Sequence, residues 1–376
     1  MSEWKKVTLD QMGIISRGRS KHRPRNDARL FGGSYPFIQT GDIGSAGLYV
    51  TEYSQTYNEE GLAQSKLWEK DTLCITIAAN IADTALLAFP ACFPDSIMGF
   101  TPHKNIANVK FVKYCFDVLQ KDCQQISQGT AQDNLSWKKL STILFPCPPI
   151  EIQNKIATIL SRYDSLIENY QKQIKLLEES AQRLYKEWFI DLRFPGHENT
   201  KIVDGVPEGW EKKKITELLE IKYGKDHKAL KDGIYPVYGT GGVMRYTERY
   251  LHNGESVLIP RKGSLNNILL VNGKFWTIDT MFYSIPKMDF VSKIAYFNLK
   301  EKDMYSFNIG AAVPSMTINI LSTMDILLPS VNIRKDFENV LSKYFSLTLN
   351  PQTQIRHLTE ARDRLLPKLM SGEIEV

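Results

Sequence analysis

The stretch Pro148-Pro149-Ile150-Glu151-Ile152-Gln153-Asn154-Lys155-Ile156-Ala157-Thr158-Ile159-Leu160-Ser161 has a diverged twin 181 residues further along the chain. It lies in the run Gly129 to Phe189, which this constant offset lays on Gly310 to Met370 without a gap. About 20 of the 61 positions are identical. They include Leu140-Ser141-Thr142 on Leu321-Ser322-Thr323, Pro148 on Pro329, Leu160-Ser161 on Leu341-Ser342 and Arg183-Leu184 on Arg364-Leu365. From Ile152 the apolar positions run Ile156, Ile159, Tyr163, Leu166, Tyr170, Ile174, Leu177, Ala181, Leu184, Trp188. Steps of three and four residues make a heptad seam with one extra residue near Tyr170–Ile174. Roughly 40 residues at 1.5 Å each predict a rod about 60 Å long. The twin seam runs Ile333, Phe337, Val340, Tyr344, Leu347, then Ile355, Leu358, Leu365, Leu369, and Asn350-Pro351 predicts a kink or short loop between its halves. One such helix alone reads equally well as a domain core helix. Two copies with matching seams each offer a stripe that the other can cover, so an antiparallel pair is expected.

Outward from these helices the repeat loosens. Trp4-Lys5-Lys6 resembles Trp210-Glu211-Lys212, and Tyr35-Pro36 through Thr40-Gly41 resembles Tyr235-Pro236 through Thr240-Gly241, with the offset drifting from 206 to 200. A period near 180–200 is too long for a solenoid and indicates a two-part unit used twice. In the variable parts, short apolar runs (Thr72–Ala78, Ala85–Phe89, Ser256–Ile259, Ile268–Val271, Phe275–Ile278) alternate with Gly, Asn, Asp and Pro, as in small strands and turns. The expected class is α/β (α+β): two small mixed domains, 1–148 and 207–329, separated by long helical regions, 149–195 and 330–376, with pseudo-two-fold internal repetition.

The 376 residues suffice for two or three domains, and 43% hydrophobic with 24% charged is an ordinary globular balance that argues against wholesale disorder. No apolar run approaches the ~18 residues of a membrane span, and the start lacks the apolar core of a secretory signal. Cys74, Cys92, Cys115, Cys123 and Cys147 show no CxxC spacing and read as inert reduced thiols, so a cytoplasmic location is expected. The net charge of +5 is small, but it is unevenly spread. Residues 1–25 hold seven basic groups against two acids, and residues 210–231 hold seven lysines against four acids. Each variable domain thus opens on a basic stretch.

Catalytic signatures are missing. There is no GxxxxGK[ST] and no HExxH, and the six histidines have no metal spacing. Cys147-Pro148-Pro149-Ile150 lacks the amide or acid of an amino-methyltransferase motif, and Pro94-Asp95 has no Glu-x-Lys partner for a nuclease core. A chain of this size without a catalytic constellation favours a binding protein. A cryptic nuclease or methyltransferase core, and a scaffold that binds no DNA, are the competing readings.

Two variable domains, each followed by a similar helix, resemble the specificity subunit of type I restriction–modification systems. Glu3-Trp4-Lys5-Lys6-Val7-Thr8-Leu9 and Pro207-Glu208-Gly209-Trp210 look like the openings of that family's two target-recognition domains. Pro148-Pro149-Ile150-Glu151-Ile152-Gln153 with Lys155-Ile156 looks like the start of its conserved helical region. Leu184-Tyr185-Lys186-Glu187-Trp188-Phe189-Ile190-Asp191 and Leu369-Met370-Ser371-Gly372-Glu373-Ile374 look like its helix ends. The second copy departs at Asn332 and Asp336, where the first has Glu151 and Lys155. The resemblance implies a subunit without chemistry of its own and without a cofactor. Each domain would read one half of a split double-stranded DNA site, and the paired helices would set the spacing. Two modification subunits would dock and supply S-adenosylmethionine-dependent adenine methylation; restriction subunits would join them. A specificity subunit of a related type II bipartite-site system fits the same residues.

The basic run Ser16 to Arg25 supplies Arg17, Arg19, Lys21, His22, Arg23 and Arg25, and its Gly18 and Pro24 predict a loop free to reach phosphates or base edges. Its counterpart supplies Lys225, His227 and Lys228. Gln132 and Asn134, just before the first repeat helix, suit adenine edges, although the twin Gly310–Ser315 lacks both amides. Asn80 falls opposite Ser264, beside Arg261, Lys262, Asn266 and Asn267, a second expected contact cluster. Thr40-Gly41-Asp42 and Thr240-Gly241-Gly242 read as turns that shape each domain.

Overall fold

Strand-forming runs and proline-bounded heptads resolve into a mixed α/β chain in a computed structural model, which describes residues 4–78, 81–127, 137–310 and 312–376. The main helices are α1 (Val109–Ser127), α2 (Ile150–Tyr185), α3 (Ser292–Lys300) and α4 (Val331–Ser371). Two compact units form: Met1–Gln173 with Pro351–Val376, and Ile174–Asn350.

In the first unit, strands β1 (Gly13–Arg17), β2 (Phe31–Phe37), β3 (Leu73–Thr76), β4 (Thr84–Leu87) and β5 (Ile97–Pro102) carry the variable domain. One sheet is ordered β1-β5-β3-β4 and ends on the strand Tyr49–Val50. β3 and β4 read as unbroken apolar runs because both sheet faces are covered. Leu73, Ile75 and Leu86 face Phe111 and Phe116 of α1, while Cys74, Ala85 and Leu87 face the stacked pair Trp68–Phe93. Fully burying each such side chain contributes roughly 1.5–3 kcal/mol. The opening of α2 joins this core: Ile156, Ala157 and Leu160 pack in one cluster with Leu369 and Met370 of α4. Further along, Asp164 meets Arg362 at 2.7 Å and accepts the Tyr114 hydroxyl, so α2 and α4 run antiparallel within this unit. Burial, and then the Asp164 carboxylate, push the Tyr114 phenol far above the usual tyrosine range.

The second unit repeats the plan with β6 (Leu219–Tyr223), β7 (Tyr235–Gly239), β8 (Gly242–Thr247), β9 (Ser256–Pro260) and β10 (Met281–Pro286). One sheet is ordered β6-β10-β9 and closes on Leu269–Val271; the other is β8-β7 followed by Lys274–Thr277 and His252–Asn253. Ser256 and Ser284, both fully buried, tie β9 to β10: Ser256 Oγ donates to Ser284 O at 2.7 Å and accepts from Ser284 N at 3.0 Å, while Ser284 Oγ accepts from Val257 N at 2.8 Å. Ala181, Tyr185, Trp188 and Phe189 close on Phe337 and Leu341 of α4, again antiparallel, with Phe189 edge-on to Phe337 at 4.6 Å.

A matching latch ties each long helix to its domain. Gln153 is fully buried and donates to the carbonyls of Pro148 (2.8 Å) and Ile106 (2.9 Å), while accepting the Asn108 amide at 3.0 Å. Its twin position, 181 residues on, is Arg334, whose guanidinium donates to Pro329 O at 3.2 Å and Asp289 O at 2.8 Å.

Three expectations are corrected. No loop interrupts α4 at Pro351: the helix runs through it and through Pro367. The proline removes one bond, to the carbonyl of Leu347, a residue 59% exposed, so water can serve that carbonyl. The seam is also rotated. Leu166 and Leu347 stand 46% and 59% exposed, whereas Leu160, Asp164 and Ile167 turn inward, because the start of α2 packs on the domain core as well as on its partner helix. Lastly, Ser16 and Arg17 belong to β1, so the basic loop begins only at Gly18.

Candidate nucleic-acid interface

The same backbone corner recurs in both variable domains. Gly18 N bonds Ile97 O at 2.8 Å and Arg19 N bonds Phe93 O at 3.0 Å; Gly224 N bonds Met281 O and Lys225 N bonds Thr277 O, both at 2.9 Å. A Cβ on Gly18 would run into the Pro94 carbonyl, and one on Gly224 into the Ile278 carbonyl. Only glycine lets the chain pass this close, and the next residue, Arg19 or Lys225, is then thrown outward, exposed.

In the first domain Arg17, Arg19 and Lys21 point cations to solvent, and Lys66 lies over the buried Trp68 ring, 3.5 Å from its centroid and 3.4 Å from Ser16 Oγ. Sequence reading missed Lys66, which lies outside the basic run and arrives only through the fold. The loop beyond Gly18 is internally braced. Gln64 Oε1 accepts the amides of Lys21 (2.6 Å) and His22 (3.0 Å), and His22 Nε2 sits 2.8 Å from Asp27. The Arg29 side chain above all, then its backbone amide, holds the Asp27 carboxyl well below the usual carboxylate range. Arg23 donates to the carbonyls of Ser20 and His22, and Arg25 meets Asp95 at 2.5 Å. His22, Arg23 and Arg25 are thus partnered inside the domain, unlike the three outward cations. Asn80, Gln132 and Asn134 lie outside the described residues.

In the second domain the two expected clusters meet on one turn, Thr277–Thr280. Lys225 N bonds Thr277 O, Trp276 Nε1 donates to Lys225 O at 2.9 Å, Arg261 N bonds Thr280 O at 2.8 Å and Arg261 Nη1 reaches Asp279 O at 3.2 Å. The Arg261 guanidinium also lies 5.2 Å from the ring centroid of Tyr223. Lys228 and Lys262 are exposed beside them, while a ring nitrogen of His227 is buried without a hydrogen-bond partner. Asn266 and Asn267 use their amides internally. Asn266 accepts Met304 N at 2.8 Å, and Asn267 donates to Thr240 O at the β7–β8 turn. The offset of 184 that maps Met281 on Ile97 maps Arg261 on Ile77, and the corner offset of 206 maps Tyr223 on Arg17. At these two matched positions the arginine therefore changes place, Arg17 in the first domain and Arg261 in the second.

Among the described residues no group of His, Cys, Asp or Glu could hold a metal ion, and no helix is long and apolar enough to cross a membrane. What the corner offers chemically is phosphate-binding cations around a few polar and aromatic groups, an arrangement suited to a nucleic-acid backbone and base edges.

Known proteins resemble the chain as a whole. The chain is 26% identical to the type I restriction enzyme MjaIX specificity subunit of Methanocaldococcus jannaschii, an alignment spanning 100% of this chain and 94% of that one. It is 22% identical to the EcoprrI specificity subunit of Escherichia coli over 88% of this chain and 85% of that one. Its fold matches the crystal structure of a type I restriction–modification S subunit from M. genitalium with TM-score 0.62 at 17% identity, covering 97% and 96% of the two chains. A model of the type I restriction modification DNA specificity domain matches residues 1–179 and again 207–359, one match for each repeat. With both halves matched, the chain belongs to the type I restriction modification DNA specificity domain family.

Proposed function

We propose that this chain is the non-catalytic subunit that gives a type I restriction–modification complex its DNA sequence, each variable domain reading one half of a bipartite, asymmetric double-stranded site. The observation that carries this reading is the repeated glycine–cation corner, Gly18-Arg19 and Gly224-Lys225, built on the same backbone bonds with different neighbours. Equal scaffolds with unequal side chains at Arg17/Tyr223 and Ile77/Arg261 suit two half-sites of different sequence. The helices act as spacer and as docking rail. The twin leucines Leu166 and Leu347 lie 181 residues apart and are both exposed, as two equivalent modification subunits would require. Those subunits supply the S-adenosylmethionine and the methyl transfer, restriction subunits supply cleavage, and the assembly works in the cytoplasm.

The test is a methylome of cells carrying this chain and its modification partner, with residues 1–148 and 207–329 replaced in turn by those of a relative. Each exchange should rewrite one half of a two-part motif and leave the other half and its partner's activity intact. A motif unchanged by both exchanges, or methyl transfer by the purified chain alone, would sink the reading.

A further inference from the structure

The second variable domain exposes apolar side chains beside its basic corner. β7 and β8 pair Val237 with Arg245 and Tyr238 with Val243, so Met244 is the extra, unpaired residue of a β-bulge. A bulge re-aims a side chain out of the alternation of its strand. Met244 and Val243 are consecutive and stand 57% and 48% exposed. Their place is fixed by close approaches to the basic corner. Met244 lies against Gly239, where a Cβ would collide with its sulfur, and the same Cβ would lie 3.2 Å from Ile278 Cδ1. Ile278 belongs to the turn that holds Lys225 and Arg261. On the other side, Thr240 is tied to Asn267, and a Cβ on Gly263 would stand 3.9 Å from Thr240 Oγ1. Gly241 and Gly242 leave the tip of the hairpin bare, with nothing within 4 Å of a Cβ at either. An exposed apolar pair beside the turn that holds Lys225 and Arg261 suits a ligand that is anionic outside and apolar at one spot. On duplex DNA the apolar feature among major-groove base edges is the thymine 5-methyl group.

We infer that Met244, backed by Val243, reads a thymine 5-methyl group in the half-site of the second domain. The inference rests on the DNA-reading function proposed above. It concerns this half-site alone, because the positions 200 residues earlier in the first domain are Ile43, which is buried, and Gly44, within a short helix Thr40–Ser45. The contact is made by a flexible thioether, so it distinguishes thymine from uracil or cytosine by a methyl group rather than by hydrogen bonds.

The experiment uses the complex of this chain with its modification subunits and a duplex carrying its methylation motif. Each thymine of the second half-site is replaced in turn by uracil, which removes only the methyl group. Fluorescence anisotropy should show binding weakened about three- to tenfold at one position, the scale set by burying a single methyl group. Met244→Ala should weaken the thymine duplex by a similar factor and abolish the difference between thymine and uracil; Met244→Leu should keep it. Unchanged thermal unfolding of Met244→Ala would exclude loss of fold. Tight, motif-specific binding with no uracil effect overturns the inference while leaving the function intact, as does an equal uracil effect in Met244→Ala or a half-site lacking thymine. Absence of motif-specific binding by the whole complex overturns the proposed function itself.

Discussion

Position 19 presents a guanidinium and position 225 an ammonium from the same backbone corner, and neither has a carboxylate partner among the described residues. Arg19→Ala and Lys225→Ala should therefore weaken binding to all duplexes alike and lower the slope of log Kd against log salt by about one. Titrations of the assembled complex at several salt concentrations check this, and a changed methylation motif would contradict a phosphate-only role. Arg23 is different, because its guanidinium is engaged with two carbonyls of its own loop and lies 3.7 Å from Asp95. Arg23→Ala should cost about 1 kcal/mol of stability in denaturant unfolding through those bonds. The cations were legible in the sequence because charge density and loop residues are local properties. Which of them are tied back was not legible: Asp95, which holds Arg25 and stands near Arg23, lies some 70 residues away and arrives only when the sheets close.

The long helices were legible for a similar reason: a 3–4 apolar rhythm and flanking prolines are written along one segment. What rotated the seam was not written there, since the start of α2 packs on the domain core and on α4 at once. Gln153 looks like a surface residue of a helix start, yet it is fully buried and makes three backbone bonds. Gln153→Ala would leave those groups unpaired and should lower stability by about 2–4 kcal/mol in urea unfolding. In the second unit Lys293 joins the domain to α4, lying 2.7 Å from Glu255 and bonded also to Glu338. Burial pulls its ammonium pKa down, and the two carboxylates more than reverse this, leaving it above the ordinary value of 10.5. A raised folded-state pKa means that the stabilisation is complete below the unfolded value and is lost as pH rises through the folded one. Melting temperature should accordingly fall more steeply above about pH 10.5 in the native chain than in Lys293→Met. Parallel curves would show that the ammonium contributes nothing there.

At the scale of the molecule, duplication makes testable demands on stoichiometry. If Leu166 and Leu347 are equivalent docking points, Leu166→Glu and Leu347→Glu should each halve the modification subunit captured per chain. The double variant should capture almost none, read by native mass spectrometry. Equal capture by all variants would move the docking surface elsewhere. Both side chains are exposed, so the substitutions spare the core. The division of the chain also fixes an order of events during synthesis. Residues 174–350 form one unit from a continuous segment and can fold once residue 350 has left the ribosome. The other unit needs residues 351–376, so Ile156, Ala157 and Leu160 wait through the making of the whole intervening unit before Leu369 and Met370 arrive to cover them. The domain that is translated first is thereby the one completed last, and a nascent chain stalled before residue 351 would hold a finished second domain beside an unfinished first.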